Sequence, residues 1–317
     1  MLSTFLETMN FSKDEINIFI TGGTGFFGKS ILAYLKQGNF SEISLTILSR
    51  NPEKFLKKNP EFRNMPKINF EMGDVRNFSF PPKKFDYIIH GAAPSHSLPQ
   101  GEMRDIIVNG TKRVIDFAKI QNIKKMLFIS SGAVYGNMQN ATTFKENMQC
   151  FPTTEYAIGK YDAEKMCIES QIPVVIARCF AFVGQYLDFD SHIAIGNFIS
   201  NCLKNIPIEI TGTGTPLRSY LYADDLVEWL FTILFKGCCG EIYNVGSDKP
   251  ISIRQLAELT GQTLNSKFPP ILHHGSDTRQ ASSNYIPNIE KCKIQLGLSV
   301  KTSLQDAIIK TVQHIDG

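Results

Sequence analysis

Ile16-Asn17-Ile18-Phe19-Ile20-Thr21-Gly22-Gly23-Thr24-Gly25-Phe26-Phe27-Gly28 is the stretch on which the fold turns. Ile16 to Ile20 is apolar and rich in β-branched side chains, the composition of a buried strand. From Phe26 to Gln37 the apolar residues Phe27, Ile31, Ala33, Tyr34 and Leu35 suit a helix. A strand, a glycine turn and a helix in that order form the setting in which a dinucleotide is held. Gly22 permits the tight turn, Gly25 lets backbone approach a pyrophosphate, and Gly28 lets helix and strand pack closely. At Phe26, Phe27 and Gly28 the start of the helix offers N–H groups and a positive dipole end to phosphate. A glycine loop with purely structural duties is the alternative that this stretch alone leaves open.

The next strand, Ile43-Ser44-Leu45-Thr46-Ile47-Leu48, ends at Ser49-Arg50. An acid there would bond the adenosine ribose and repel a 2′-phosphate. Ser49 and Arg50 instead offer a hydroxyl and a planar guanidinium, which suit a phosphate. NADP(H) is therefore the expected cofactor and NAD(H) the alternative, with Arg50 then a solvated loop residue or a cover for the adenine. Farther on, Phe85 to Ile89 runs into His90-Gly91-Ala92-Ala93, where Gly91, Ala92 and Ala93 are small enough for backbone contacts to a cofactor. His90 reads as a filler of the strand end.

Two later segments complete an apparatus. Lys125-Met126-Leu127-Phe128-Ile129-Ser130 leads into Ser131-Gly132-Ala133-Val134-Tyr135-Gly136, and Tyr156-Ala157-Ile158-Gly159-Lys160 follows. Tyr156 and Lys160, four apart, share a helical face. A free phenol has a pKa near 10 and is a poor base at neutral pH. A neighbouring ammonium and an oxidised nicotinamide both favour the phenolate. Tyr156 would then pass a proton to or from a substrate oxygen, and Lys160 would also hold the nicotinamide ribose.

The order and spacing of these segments resemble the extended short-chain dehydrogenase/reductase family, of the epimerase/dehydratase type that works on nucleotide-activated sugars. The resemblance runs from about Ile16 to Ile309. It implies an α/β fold: a Rossmann doubly wound parallel sheet over 16–180, and a smaller C-terminal substrate-binding lobe over 181–317 with segments returning to the first sheet. It selects Ser131 over Ser130 as the working hydroxyl, four residues before Tyr135, and places Asp74 and Val75 at the adenine. Asn197 and Arg218 resemble the residues that contact the nucleotide diphosphate, and Arg279 resembles a second arginine there. Pro94-Ser95-His96 is instead particular to this chain, and Ser95 is expected to touch the sugar. The resemblance also implies a homodimer through helices near 103–120 and 155–170.

Composition agrees with an ordinary globular enzyme: 317 residues, 43% hydrophobic, 20% charged. A net charge of +3 and the lack of a basic cluster interleaved with aromatics give no reason to expect nucleic acid. The seven cysteines contain no Cys-x-x-Cys pair, so neither zinc nor a disulfide framework is indicated, and reduced thiols in a cytoplasm are the simplest reading. No apolar run reaches the length of a membrane span. Residues 1–15 do not read as a signal peptide; Leu2, Phe5, Leu6 and Met9 suggest a short helix. His192, His273 and His274 receive no role.

The reaction is read from what surrounds Ser131. In the family, sugar 4,6-dehydratases carry an Asp-Glu pair just after the working hydroxyl; here those positions are Gly132 and Ala133. Dehydration therefore ranks low. A 4-ketoreductase using NADP(H), with hydride transfer at sugar C4, is the first expectation. A 4-epimerase with tightly held NAD is the alternative, and a non-catalytic nucleotide sensor is disfavoured by Tyr156 and Lys160. Cys179 to Gly184 departs from the family's Pro-x-Asn-x-Tyr-Gly and leaves the sugar itself open, as it does the nucleotide.

Overall fold

The computed structural model describes residues 15–38, 40–94, 98–99, 101–137, 142–189, 193–273 and 284–313. The expectations for Ser95, His96, His192, His274, Arg279 and the helix before Glu15 lie outside the described residues.

The chain opens with β1 (Ile16–Thr21), helix α1 (Phe26–Gln37), β2 (Ile43–Ser49), α2 (Pro52–Lys58), β3 (Ile68–Met72) and β4 (Tyr87–His90). Helix α3 (Glu102–Gln121), β5 (Lys125–Ser131), a 3-10 turn over Gly132–Tyr135, α4 (Glu155–Glu169) and β6 (Val174–Cys179) follow. Next come β7 (Phe182–Val183), α5 (Ala194–Leu203), β8 (Glu209–Thr211), β9 (Leu217–Arg218), β10 (Leu221–Tyr222), α6 (Ala223–Lys236) and β11 (Ile242–Val245). The chain continues through β12 (Ile251–Ser252), α7 (Ile253–Thr263), β13 (Ile271–His273), α8 (Glu290–Leu296) and α9 (Leu304–Gln313).

Seven strands form one parallel sheet in the order β11-β6-β5-β4-β1-β2-β3. This is the doubly wound architecture expected from the alternation of strands and helices. Its inner strands are buried on both faces, so they read as near-continuous apolar runs. Edge strand β3 is partly exposed. The start of β4 differs from expectation. Phe85 precedes the strand, and its N–H donates to Gln121 Oε1 while the Asp86 N–H donates to Asn17 O. Phe19, Phe78, Phe85 and Phe117 pack as one aromatic cluster, with Phe19 and Phe117 centroids 5.0 Å apart.

Two compact units emerge. The first holds the residues up to Gly136, Cys150–Cys179 and Val227–Tyr243; the second holds Asn137–Gln149, Phe180–Leu226 and the chain from Asn244. In the second unit, the segment Leu217 to Tyr222 is divided between two short strands. Leu217–Arg218 pairs antiparallel with β12, whereas Leu221–Tyr222 pairs parallel with β7. Different partners on either side of Ser219-Tyr220 divide the segment. Asp225, in the first turn of α6, accepts from the backbone N–H groups of Lys301 and Thr302, both at 3.0 Å, and anchors that distant segment.

Candidate active site

Each glycine of the first loop meets a different demand. Gly22 has φ +77°, and a Cβ there would lie 2.6 Å from the Gly91 carbonyl carbon. A Cβ on Gly28 would sit 2.1 Å from Gly23 O, so helix and loop touch there. Gly25 is different: it is exposed, and a Cβ would meet only Gly22 O, at 3.6 Å. The protein's own packing does not require a glycine at that position. The open space in front of it is what a dinucleotide's pyrophosphate needs. Gly25 precedes α1 without a side-chain cap, and the first turn of α1 carries no acid, so the helix start suits an anion. The residues present therefore fit the cofactor.

A buried hydrogen-bond chain lies under this loop. Thr21 Oγ1 accepts from the Ala92 N–H at 3.3 Å and is 2.6 Å from His90 Nδ1. His90 Nε2 is 2.9 Å from Thr111 Oγ1, whose own proton goes to Ile107 O at 2.7 Å. Because Thr111 has spent its proton, His90 must donate from Nε2 and accept at Nδ1. Burial, with Lys160 nearby, pulls the imidazole down to about 3. His90 is thus a neutral structural link between the end of β1 and helix α3, while Thr21 itself reaches the loop after β4 through the Ala92 N–H.

Ser131, Tyr156 and Lys160 come together at the end of β5 and the start of α4. Thr154 caps α4 by accepting from the Ala157 N–H at 3.2 Å. The Tyr156 phenol is hydrogen-bonded to Ser131. Lys160 is buried, its Nζ donates to Ile129 O at 2.7 Å, and it stands 5.9 Å from the Tyr156 ring centroid. Burial pushes the phenol up to about 12, against the pull of Ser131. Burial likewise brings Lys160 down to about 8. The expectation that the ammonium would favour the phenolate is thus outweighed by desolvation in the protein alone. The Tyr156 phenol is therefore protonated at neutral pH in the protein alone.

Ser130, the neighbouring hydroxyl, is used elsewhere: it donates to Glu164 Oε1. Glu164 on α4 and Arg178 on β6 form a buried bidentate pair, Nη2–Oε2 2.7 Å and Nε–Oε1 3.0 Å. Sequence reasoning missed this pair. Its signals were an arginine inside the apolar run Val174–Cys179 and a glutamate four residues after Lys160 on the same helical face.

At the expected adenosine end, Ser49 is buried and its Oγ accepts from the Asn51 N–H at 3.3 Å. Arg50 is exposed. Asp74 accepts from Arg76 Nε at 2.9 Å, and Arg76 also reaches Asp105 at 3.0 Å. The Arg76 hydrogen bond, with Arg50 contributing, holds the Asp74 carboxyl below its usual range. Val75 is buried against the aromatic core. Ala92 and Ala93 pack on the same core. In the second unit, Asn197 is exposed on α5, and Arg218 is half-buried with Nη1 donating to Leu217 O at 2.8 Å.

A family model described as the NAD dependent epimerase/dehydratase family matches residues 18–246. A dTDP-D-glucose 4,6-dehydratase from Bos taurus is 31% identical over 93% of this chain and 87% of its own length. A protein from Sinorhizobium fredii named probable dTDP-glucose 4,6-dehydratase is 28% identical over 94% of this chain and 92% of its own. A UDP-glucuronic acid 4-epimerase from Bacillus cereus in complex with NAD superposes with a TM-score of 0.82 at 21% identity, over 95% of this chain and 99% of that one. At that identity the likeness speaks for the fold.

Proposed function

Because the chain belongs to the NAD dependent epimerase/dehydratase family, we propose that it catalyses oxidation–reduction at a hydroxyl-bearing carbon of a nucleotide-activated sugar. The observation that carries this is the Ser131–Tyr156–Lys160 constellation beside a glycine loop whose Gly25 leaves room for a pyrophosphate. The dinucleotide, when bound, supplies the two-electron donor or acceptor. Gly22, Gly25 and Gly28 with the start of α1 hold its phosphates; Gly91, Ala92 and Ala93 line its backbone side; Asp74 and Val75 take the adenine. Tyr156 gives its proton to the sugar oxygen as the carbonyl is reduced, and Ser131 donates to the same oxygen. Lys160 holds the ribose and brings positive charge to the phenol in the reverse direction. Asn197, Arg218 and Arg279 take the diphosphate.

The direction we favour is reduction, as a 4-ketoreductase using NADP(H). One feature supports it: a β2 end with Ser49 and Arg50 but no carboxylate. The named relatives are dehydratases. Elimination of water needs an acid and a base beyond Tyr156, and Gly132 and Ala133 have no carboxylate to supply them. The second reading is a 4-epimerase with retained NAD, favoured by the family's cofactor and by the epimerase neighbour solved with NAD. A homodimer along α3 and α4 completes the proposal, supported by Ile120 and Ile168 exposed on those helices.

One assay separates the two readings. Purified protein is denatured and the released nucleotide identified, then fresh protein is given NADPH and a nucleoside-diphosphate 4-ketohexose. Little released nucleotide and NADPH consumption matched to alcohol formation is the expected result. Stoichiometric NAD on release, with interconversion of the C4 alcohols and no net NADPH use, would move the assignment to the epimerase.

A further inference from the structure

The buried pair Glu164–Arg178 is expensive to build. Two charges taken from water gain little over apolar side chains of the same volume, so stability alone does not explain it. Its partners say what it does. Arg178 is 3% exposed and Glu164 2%. Besides its bonds to Glu164, the guanidinium lies 4.7 Å from the Tyr135 ring centroid, is hydrogen-bonded with the Tyr135 side chain, and also bonds Cys150. Glu164 in turn accepts from Ser130.

These partners flank the catalytic hydroxyl on both sides. Ser130 immediately precedes Ser131, and Tyr135 closes the 3-10 turn that begins just after it. Glu164 stands four residues beyond Lys160 and eight beyond Tyr156 on α4, on their face of the helix. Cys150 lies on the approach to α4; the next residue, Phe151, donates its N–H to Tyr135 O at 3.3 Å. One ion pair thus ties the strand end that carries Ser131 to the helix that carries Tyr156 and Lys160. Arginine is suited to this because its planar fork presents several donors in fixed directions.

We infer that Arg178 and Glu164 are positioning residues that set the Ser131 hydroxyl against the Tyr156 phenol. Both are buried and act through the groups that they hold in place. The inference rests on the proposed role of Ser131 and Tyr156. A displacement near 1 Å at reacting groups costs about 10²-fold in rate, so the clamp acts on turnover and leaves the glycine loop untouched.

The test is a cycle of four proteins: wild type, Arg178→Met/Glu164→Leu, Ser131→Ala, and the combination. Replacing both charges together avoids an orphaned buried ion; Arg178→Lys, which keeps the charge and loses the fork, serves if the double variant does not fold. Two readouts are taken. One is NADPH-dependent turnover of a nucleoside-diphosphate 4-ketohexose. The other is the Cζ chemical shift of isotope-labelled Tyr156 at neutral pH, assigned with Tyr156→Phe, which follows the hydrogen bond at its hydroxyl. The clamp variant should lose about 10–100-fold in kcat with little change in KM. It should move the Tyr156 signal to its position in Ser131→Ala, and it should add nothing in the Ser131→Ala background. A folded clamp variant with an unmoved signal, or losses that multiply in the combination, would overturn the inference. Absence of turnover in the wild type would instead count against the proposed function, and the Tyr156 signal alone would then decide the clamp.

Discussion

His90 shows how one side chain can be read through its hydrogen bonds. It is buried between Thr21 and Thr111, neutral, and held at about 3 against an ordinary value of 6.5. Between those two values the unfolded chain binds a proton that the folded chain refuses. Stability is therefore retained above pH 6.5 and falls as pH drops below it, by about 1.4 kcal/mol per pH unit for this one group. The effect amounts to roughly 5 kcal/mol by pH 3, an order-of-magnitude figure for a fully buried imidazole. Urea unfolding at a series of pH values checks it. His90→Gln should be less stable than wild type at pH 7 but lose stability more slowly between pH 6 and pH 4. Parallel pH slopes for the two proteins would mean that His90 takes up protons in the folded state.

At the scale of elements, the loop from β1 to α1 makes a sharper distinction than the glycine pattern itself. Gly28→Ala places a methyl 2.1 Å from Gly23 O and should lower the melting temperature, whether or not cofactor is present. Gly25→Ala meets nothing closer than 3.6 Å and has an ordinary φ of −90°, so it should leave the melting temperature nearly unchanged while weakening dinucleotide binding. Thermal melts and cofactor titration of the two variants give the comparison; a Gly25→Ala protein that binds as wild type would remove the pyrophosphate from this position. The limits of α1 were legible at Phe26 and Gln37 because apolar spacing and the glycine turn are local signals. The division of Arg218 to Tyr222 between two sheets was not legible, because its partners Ile251 and Phe182 are distant in sequence. The pairing of Glu164 with Arg178 was hidden for the same reason: the two lie on different elements, α4 and β6, and meet only in the folded chain.

Over the whole molecule, the parallel sheet was legible from strand–turn–helix repetition, and the pairing of Tyr156 with Lys160 on one face of α4 from fixed helical spacing; Ser131 was singled out by the family resemblance. The protonation of Tyr156 could not be read in the same way. Spacing puts Lys160 on its face, but burial decides which effect wins, and burial is a property of the folded chain. The two compact units are each assembled from separated segments, so no single point in the sequence marks their limit. The chain's central claim to catalysis rests on the proton carried by Tyr156. Turnover of Tyr156→Phe, measured beside calorimetric titration of the same protein with NADPH and with the nucleotide sugar, puts it to the test. Turnover should fall about 10²–10⁴-fold, the usual scale for losing a general acid–base group, with both affinities nearly intact. Full turnover in the Tyr156→Phe protein would contradict the mechanism, and loss of both affinities would make Tyr156 a structural residue.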